Sequence, residues 1–522
     1  MPFVEFIFNG KKKRMQKITK LSAMALLGIS LMSLNAKPIH ASTTHVLDKA
    51  VTKVNGTKNY RIYQSIDKNG PHKVIGNTKD FKYAHLESKE YAKTAKGVYW
   101  NLIVNGRSVG WVKQNYFTRN KIALAKSVDL VQNDTDSFNP KDAISYIADS
   151  TGSAINPKKA KISVKSIDTS VGGEKTVEYS YKKAKGKLKV VVRADNDQEG
   201  ISNADADAVS APKAGTTWHG KSQGSSDNWN KEAGYLPEEN KNHYESDTGK
   251  TLDTVMYQPR LLSLDMGLND SISQVGVIPE GIAVKSGNFT VSMLSDAKDE
   301  YGHLVSYDLN KIKNPYGAQK LTTMPYKQFV KYSRAIRISP YIKLGHGQSV
   351  SDSGKYIYVL TNSNKLKNSP KSDEILQINR KDLTIKRIWT FKVYNGDSSF
   401  PRYFHNLAVV NDHLMYGIFH NASKSVYEYW KIEKDDGAWV PTEIGATDSE
   451  LVKDAPVQGF SYDKQNNQFA VGFNDYIFKI APNGKILAAN HFDTKRELEG
   501  LSFDNGELYA ELTKRPELLK LN

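Results

Sequence analysis

Apolar and polar positions alternate along most of the chain with the period of two that marks half-buried strands. YRIYQSI (60–66), HKVIG (72–76), GVYWNLIV (97–104) and SVGWVKQNYF (108–117) are separated by turn signals at Lys68-Asn69-Gly70-Pro71 and Asn105-Gly106. Asn-Gly between alternating runs predicts a tight hairpin, because both residues tolerate positive φ. These runs predict a small barrel over residues 46–120. A second group, ISYIA (144–148), AKISVKSI (160–167), KTVEYSYKK (175–183) and KLKVVVRAD (187–195), predicts a sandwich over 125–195, with turns at Gly172-Gly173 and Lys185-Gly186. Residues 196–232, rich in Ala, Ser, Asp, Gly and Asn, have little to bury and read as a linker. The start of a calcium loop at Asp195–Gly200 is discounted, since Ala206 stands where the closing Glu belongs.

From residue 233 onward a unit recurs: a small residue, an apolar stretch, a turn, then an alternating strand. Its copies are PEGIAVKSGNFTVSML (279–294), GHGQSVSDSGKYIYVL (345–360), FHNLAVVNDHLMYGIF (404–419), VQGFSYDKQNNQFAVGF (457–473) and LEGLSFDNGELYAEL (498–512). The small positions Gly281, Gly347, Asn406, Gly459 and Gly500 are spaced by 66, 59, 53 and 41 residues. All-β repeats of that length predict propeller blades. The count is five, or six if 233–276 contributes a diverged copy; otherwise YQPRLLSL (257–264) supplies a strand that latches the last blade. The fold class is thus all-β and multidomain: barrel, sandwich, propeller.

Aligning the copies places Glu280, His346, His405, Gln458 and Glu499 just before the small positions, facing one another at a channel mouth. Glu280 and Glu499 are the candidate catalytic carboxylates, and His346, His405 and Glu499 the candidate ligands of a divalent metal. The competing reading is a polar ring satisfied by water and backbone. No pair has the local spacing of a metal motif, and neither GxSxG nor HExxH occurs; no cofactor is predicted.

Charge changes this picture in one place. The formal net charge is +17. Residues 46–120 carry 14 Lys/Arg against 5 Asp/Glu, whereas 233–522 carry 35 of each sign. One small domain therefore supplies most of the field, and a polyanion is its natural partner. The chain begins with a Lys/Arg-rich stretch followed by LSAMALLGISLMSL (21–34), an apolar run too short to span a bilayer comfortably. Residues 1–41 thus read as a signal peptide, with Met1 or Met15 as the start. No later segment predicts a transmembrane anchor, so the mature chain is expected to be extracellular. It has no cysteine, which leaves core burial as its source of stability. Outside the cell, nucleic acid is a poor partner; teichoic acids, anionic lipids or sulfated glycans are better ones.

The residues Tyr99-Trp100, Asn105-Gly106, Gly110-Trp111-Val112 and Asn115-Tyr116-Phe117 resemble a GW module, the SH3-like wall-binding repeat of Gram-positive surface proteins. The resemblance implies non-covalent docking on lipoteichoic or teichoic acid, with Tyr99, Trp100, Arg107, Trp111, Lys113 and Tyr116 as candidate ligand-binding residues. Trp111 has a competing role as core of the barrel. SVGGEKTVEYSYKKAKGKLKVVVRAD (170–195) resembles the closing hairpin of bacterial Ig-like repeats, which implies a spacer. HGQSVSDSGKYIYVLTNS, ILQINRKDLTI, QGFSYD and ELEGLSFDNGELYAEL resemble the helveticin-J-like bacteriocin family of lactobacilli. Together these imply a secreted wall protein whose propeller is antagonistic or recognises a target-cell surface. Two other readings stay open: an adhesin for host glycan or protein, and a wall-polysaccharide enzyme using Glu280 and Glu499.

Overall fold

The computed structural model describes residues 44–46, 59–78, 86–104, 107–117, 119–134, 138–150, 152, 154–194, 198–199, 243–258, 278–294, 301–312, 335–363, 372–395, 397–453, 455–494, 496–513 and 517–522. The expected signal peptide, the Asn105-Gly106 turn, Ala206 and most of 196–232 lie outside them.

Alternation becomes strand in all three segments. Gly97–Val104 and Arg107–Lys113 pair as expected, inside a seven-stranded antiparallel sheet. Across it run 44–46, Glu90–Thr94, Gly97–Val104, Arg107–Lys113, Arg61–Asp67 and Gly70–Asn77; Leu86–Glu87 adds to Gly97–Val104. One face buries Ile62, Trp100, Leu102, Val112, Tyr116 and Phe117, with Trp100 stacked on Phe117 at 4.6 Å. A smaller cluster holds Ile66, Ala92 and Tyr99, flanked by Tyr63 and Trp111.

Gly110 explains why a glycine precedes this tryptophan. The pairing shifts between Leu102↔Gly110 and Ile103↔Ser108, leaving Val109 as a bulge, and Gly110 has φ +124°. A Cβ there would lie 2.6 Å from the Tyr63 carbonyl oxygen. Only glycine combines that φ with that approach.

The sandwich has two sheets. Lys121–Leu124, Ile144–Ala148 and Ala154–Ile155 form one. Lys161–Ile162, Gly173–Tyr181, Ala184–Arg193 and Ser127–Val131 form the other, its last pair parallel. The expected turn at Lys185-Gly186 is displaced. Lys182-Lys183 make the turn, with Lys182 at φ 50°, and Gly186 lies within the strand opposite Tyr179. Leu124 of the facing sheet occupies the space a side chain at Gly186 would need, with its Cδ1 2.8 Å from the position of a Cβ.

Five sheets of four or five strands follow among the described residues, with a two-stranded ribbon of Val393–Asn395 and Asp397–Arg402 beside them. Their first strands, Ile278–Lys285, Val350–Asp352, Asn406–Asn411, Gly459–Asp463 and Leu498–Asp504, abut one another in a closed circuit. This is the β-propeller. Thr251–Tyr257 pairs with Glu517–Leu521 and so ties the start of the domain to its end. The latch strand ends on Tyr257, the first residue of YQPRLLSL; residues 259–264 of that run lie outside the described residues.

Backbone contact between neighbouring first strands sets the small positions of the repeat. The Gly281 N–H donates to the Gly347 carbonyl at 2.8 Å, and a Cβ on Gly281 would stand 2.4 Å from the Gln348 carbonyl oxygen. Serine hydroxyls staple the same circuit. Ser502 Oγ accepts the Val284 N–H (2.8 Å), Ser351 Oγ that of Val409 (3.0 Å) and Ser461 Oγ that of Phe503 (2.9 Å).

The Ig-like module is docked on the propeller. The Asp129 N–H donates to the Tyr341 carbonyl (2.9 Å), and the Tyr341 N–H donates to that of Ser127 (3.0 Å). Phe138 packs against Tyr301 and Tyr341, and Val131 joins a propeller core cluster. Gln198–Glu199, inside the expected linker, pairs parallel with Ile388 and Trp389 at a sheet edge. Among the described residues no helix is long and apolar enough to cross a membrane.

Candidate functional site

The loops entering the first strands meet at one end of the propeller, where a cavity of about 870 Å³ opens. Of the five aligned residues, His346, His405 and Gln458 line it. Both histidines are exposed. Tyr403 stands edge-on to His405, ring centroids 5.2 Å apart. Phe419 forms another part of the wall, with the Arg402 guanidinium 5.1 Å from its ring. That cation is taken up by Glu428 through two hydrogen bonds, at 2.8 and 3.1 Å. His420, also on the wall, contacts Glu450 at 2.9 Å.

Glu280 and Glu499 behave differently from the other three. Each is 6% exposed, and their carboxyl groups hydrogen-bond to each other. Burial pushes both pKa values up, and the neighbouring Glu497 charge adds to the shift. Two carboxylates in contact in a dry site cannot both ionise cheaply, so the pair holds a proton between them. The pair connects to the cavity through amides. Gln348 hydrogen-bonds Glu499, and its Nε2 donates to Gln458 Oε1. Gln458 Nε2 in turn donates to Asn474 Oδ1 (3.2 Å) and Glu497 Oε1 (3.3 Å).

This geometry revises two expectations. Carboxyls that cleave a glycosidic bond stand roughly 5–9.5 Å apart with sugar or water between them. Glu280 and Glu499 touch each other instead. Nor do His346, His405 and Glu499 converge as ligands: the imidazoles face the cavity while Glu499 is buried. Among the described residues no group of three or more His, Asp or Glu side chains is placed to hold a metal.

In the first module the candidate ligand-binding residues divide by strand face. Trp100 and Tyr116 are wholly buried core, and Tyr99 is buried in the smaller cluster. Burial drives the Tyr116 hydroxyl well above the usual phenol range. Trp111 is half-buried, packed beside Tyr99. Lys113 is exposed and lies directly opposite Tyr99 in register. The Arg107 side chain lies outside the described residues. Sequence reasoning missed the roles of Asn406 and Gln348. Asn406 was read only as a variant of the small position, yet it lines the cavity with an unpartnered, buried Oδ1.

Residues 42–118 match the GW (Gly-Tryp) dipeptide domain, and residues 135–192 match the bacterial Ig-like domain (group 3). No curated protein matches the chain. Solved structures similar to it include the gluconolactonase XC5397 from Xanthomonas campestris, at 9% identity and TM-score 0.28 over 62% of this chain and 99% of that one. BamB from Moraxella catarrhalis is similar at 13% identity and TM-score 0.22, over 54% and 90%. The β-propeller domain of Cps50 (Swd1) from Myceliophteria thermophila is similar at 11% identity and TM-score 0.24 over 45% of this chain; the match spans 62% of that domain, under two thirds of it. The propeller assignment stands on the closed circuit of sheets. With its GW and bacterial Ig-like modules, this is a surface- or cell-wall-associated protein that carries a β-propeller.

Proposed function

We propose that the chain is exported and held on a Gram-positive wall by its GW module, which docks on lipoteichoic or teichoic acid, while the propeller serves as a recognition domain. The observation that carries this reading is the state of the module's cations. Lys68, Lys73, Lys93, Lys96 and Lys113 are all exposed. The nearby acids are engaged elsewhere: Asp67 with His72 (2.8 Å) and the Asn69 and Gly70 N–H groups, Glu90 with the Asn101 amide (2.7 Å). The lysine field is left for an external polyanion. Resemblance to helveticin-J-like proteins supports an antagonistic role for the propeller.

Binding of the full chain to purified walls as salt rises tests the docking. Lys68→Gln, Lys73→Gln, Lys96→Gln and Lys113→Gln together should release the protein at lower salt than the unmodified chain. Release at the same salt overturns it. Growth inhibition of neighbouring bacteria separates antagonism from adhesion.

A further inference from the structure

The propeller-mouth cavity is built for one ligand chemistry. Among the described residues no lysine or arginine lines it, and Glu497 is the one carboxylate on its wall; the other ionisable groups are the imidazoles of His346, His405 and His420. Among those residues an anionic ligand would find no permanent cation. Asn406 is 1% exposed, its Nδ2 donates to the Val457 carbonyl (3.3 Å), and its Oδ1 has no partner. A buried amide oxygen without a donor is costly, and a ligand hydroxyl that reached it would offset that cost. The Gln458 donors are turned toward Glu497 and Asn474, so the Glu497 carboxylate is the acceptor at the cavity surface, with the buried Asn406 oxygen behind its wall. Tyr403, His405 and Phe419 add ring surface. Acceptors that ask for hydroxyl hydrogens, beside rings that take an apolar C–H face, describe a sugar.

We infer that the cavity lined by Tyr403, His405, Asn406, Phe419, Gln458 and Glu497 is a binding site for an uncharged glycan. This inference deepens the recognition role proposed for the propeller and is independent of how the GW module holds the wall.

The test uses the full chain with maltohexaose, cellohexaose and chitohexaose as neutral probes, trigalacturonate as the anionic probe and a tetramethylammonium salt as the cationic one. Binding is read by calorimetry and by saturation transfer from protein to ligand. At least one neutral hexasaccharide should bind and trigalacturonate should not. The exposed-residue change His405→Ala should weaken binding about tenfold, the loss of one ring contact. Glu497→Gln, which keeps the shape but removes the charge, should weaken it as well. Both variants should unfold at the unmodified temperature.

Three results overturn the inference: no neutral probe bound by folded protein, preference for trigalacturonate or tetramethylammonium, or unchanged affinity in both variants. Wall retention, measured on the same samples, distinguishes failure here from failure of the docking reading. A chain that stays on walls but ignores every neutral probe refutes only the glycan site.

Discussion

Lys343 of the propeller and Asp134 of the Ig-like module form an ion pair of 3.1 Å, with side chains 2% and 3% exposed. Taking two charges out of water costs several kcal/mol each, and only close mutual contact offsets that. The pair therefore fixes the docking register without adding much net stability.

Removing one partner should show this asymmetry. Lys343→Met takes the cation away from the buried Asp134 carboxylate and should cost about 3–5 kcal/mol. Lys343→Met combined with Asp134→Leu should recover most of the loss. Denaturant unfolding of the three proteins gives the comparison. Equal losses in the single and double variants would mean that the ion pair is not what couples the two positions.

Gly110→Ala tests the local rule behind the Gly-Trp dipeptide. The added methyl meets the Tyr63 carbonyl oxygen at 2.6 Å and Ile62 Cγ2 at 2.9 Å, in a backbone with φ +124°. Strain of this kind costs of order 1–3 kcal/mol. The expected outcome is early melting of the first module, followed through the fluorescence of Trp100 and Trp111, and earlier release from walls. An unchanged melting curve would show that the strand tolerates a side chain there.

These residues also show what the sequence made legible. The hairpin at 97–113 was readable because burial on one side writes alternation into the chain, and the five repeat units through their recurring small residue and turn, since strands such as Asn288–Leu294 are buried along their whole length. Which side is core was not readable. Val98, Trp100 and Leu102 alternate with Tyr99, Asn101 and Ile103, and both sets contain aromatic residues. Only the positions of Phe117 and Tyr116 decide that Trp100 is inside. The mouth residues were located by aligning repeats, but alignment carries no depth, so exposed His405 and buried Glu499 looked equivalent. Contacts between modules leave no local pattern either: Lys343 and Asp134 lie 209 residues apart.

The proton shared by Glu280 and Glu499 makes stability depend on pH in a definite direction. Both folded-state pKa values lie above the ordinary glutamate range, mainly through burial. Unfolded glutamates titrate near about 4.3. Above that pH the folded protein binds more protons than the unfolded chain, so stability falls as pH rises. The contribution is fully present below the unfolded pKa and is lost as pH climbs through the folded values. Glu499→Gln supplies a neutral hydrogen-bonding group of the same shape and removes one titration. It should flatten the decline that runs from the unfolded glutamate range up through the folded value of Glu499, and raise the melting temperature at the alkaline end. Thermal unfolding of both proteins across that range measures it. A variant that follows the same slope as the unmodified chain would place the titration elsewhere. One that loses stability only above the ordinary glutamate range would show that Glu499 works as an ionised carboxylate.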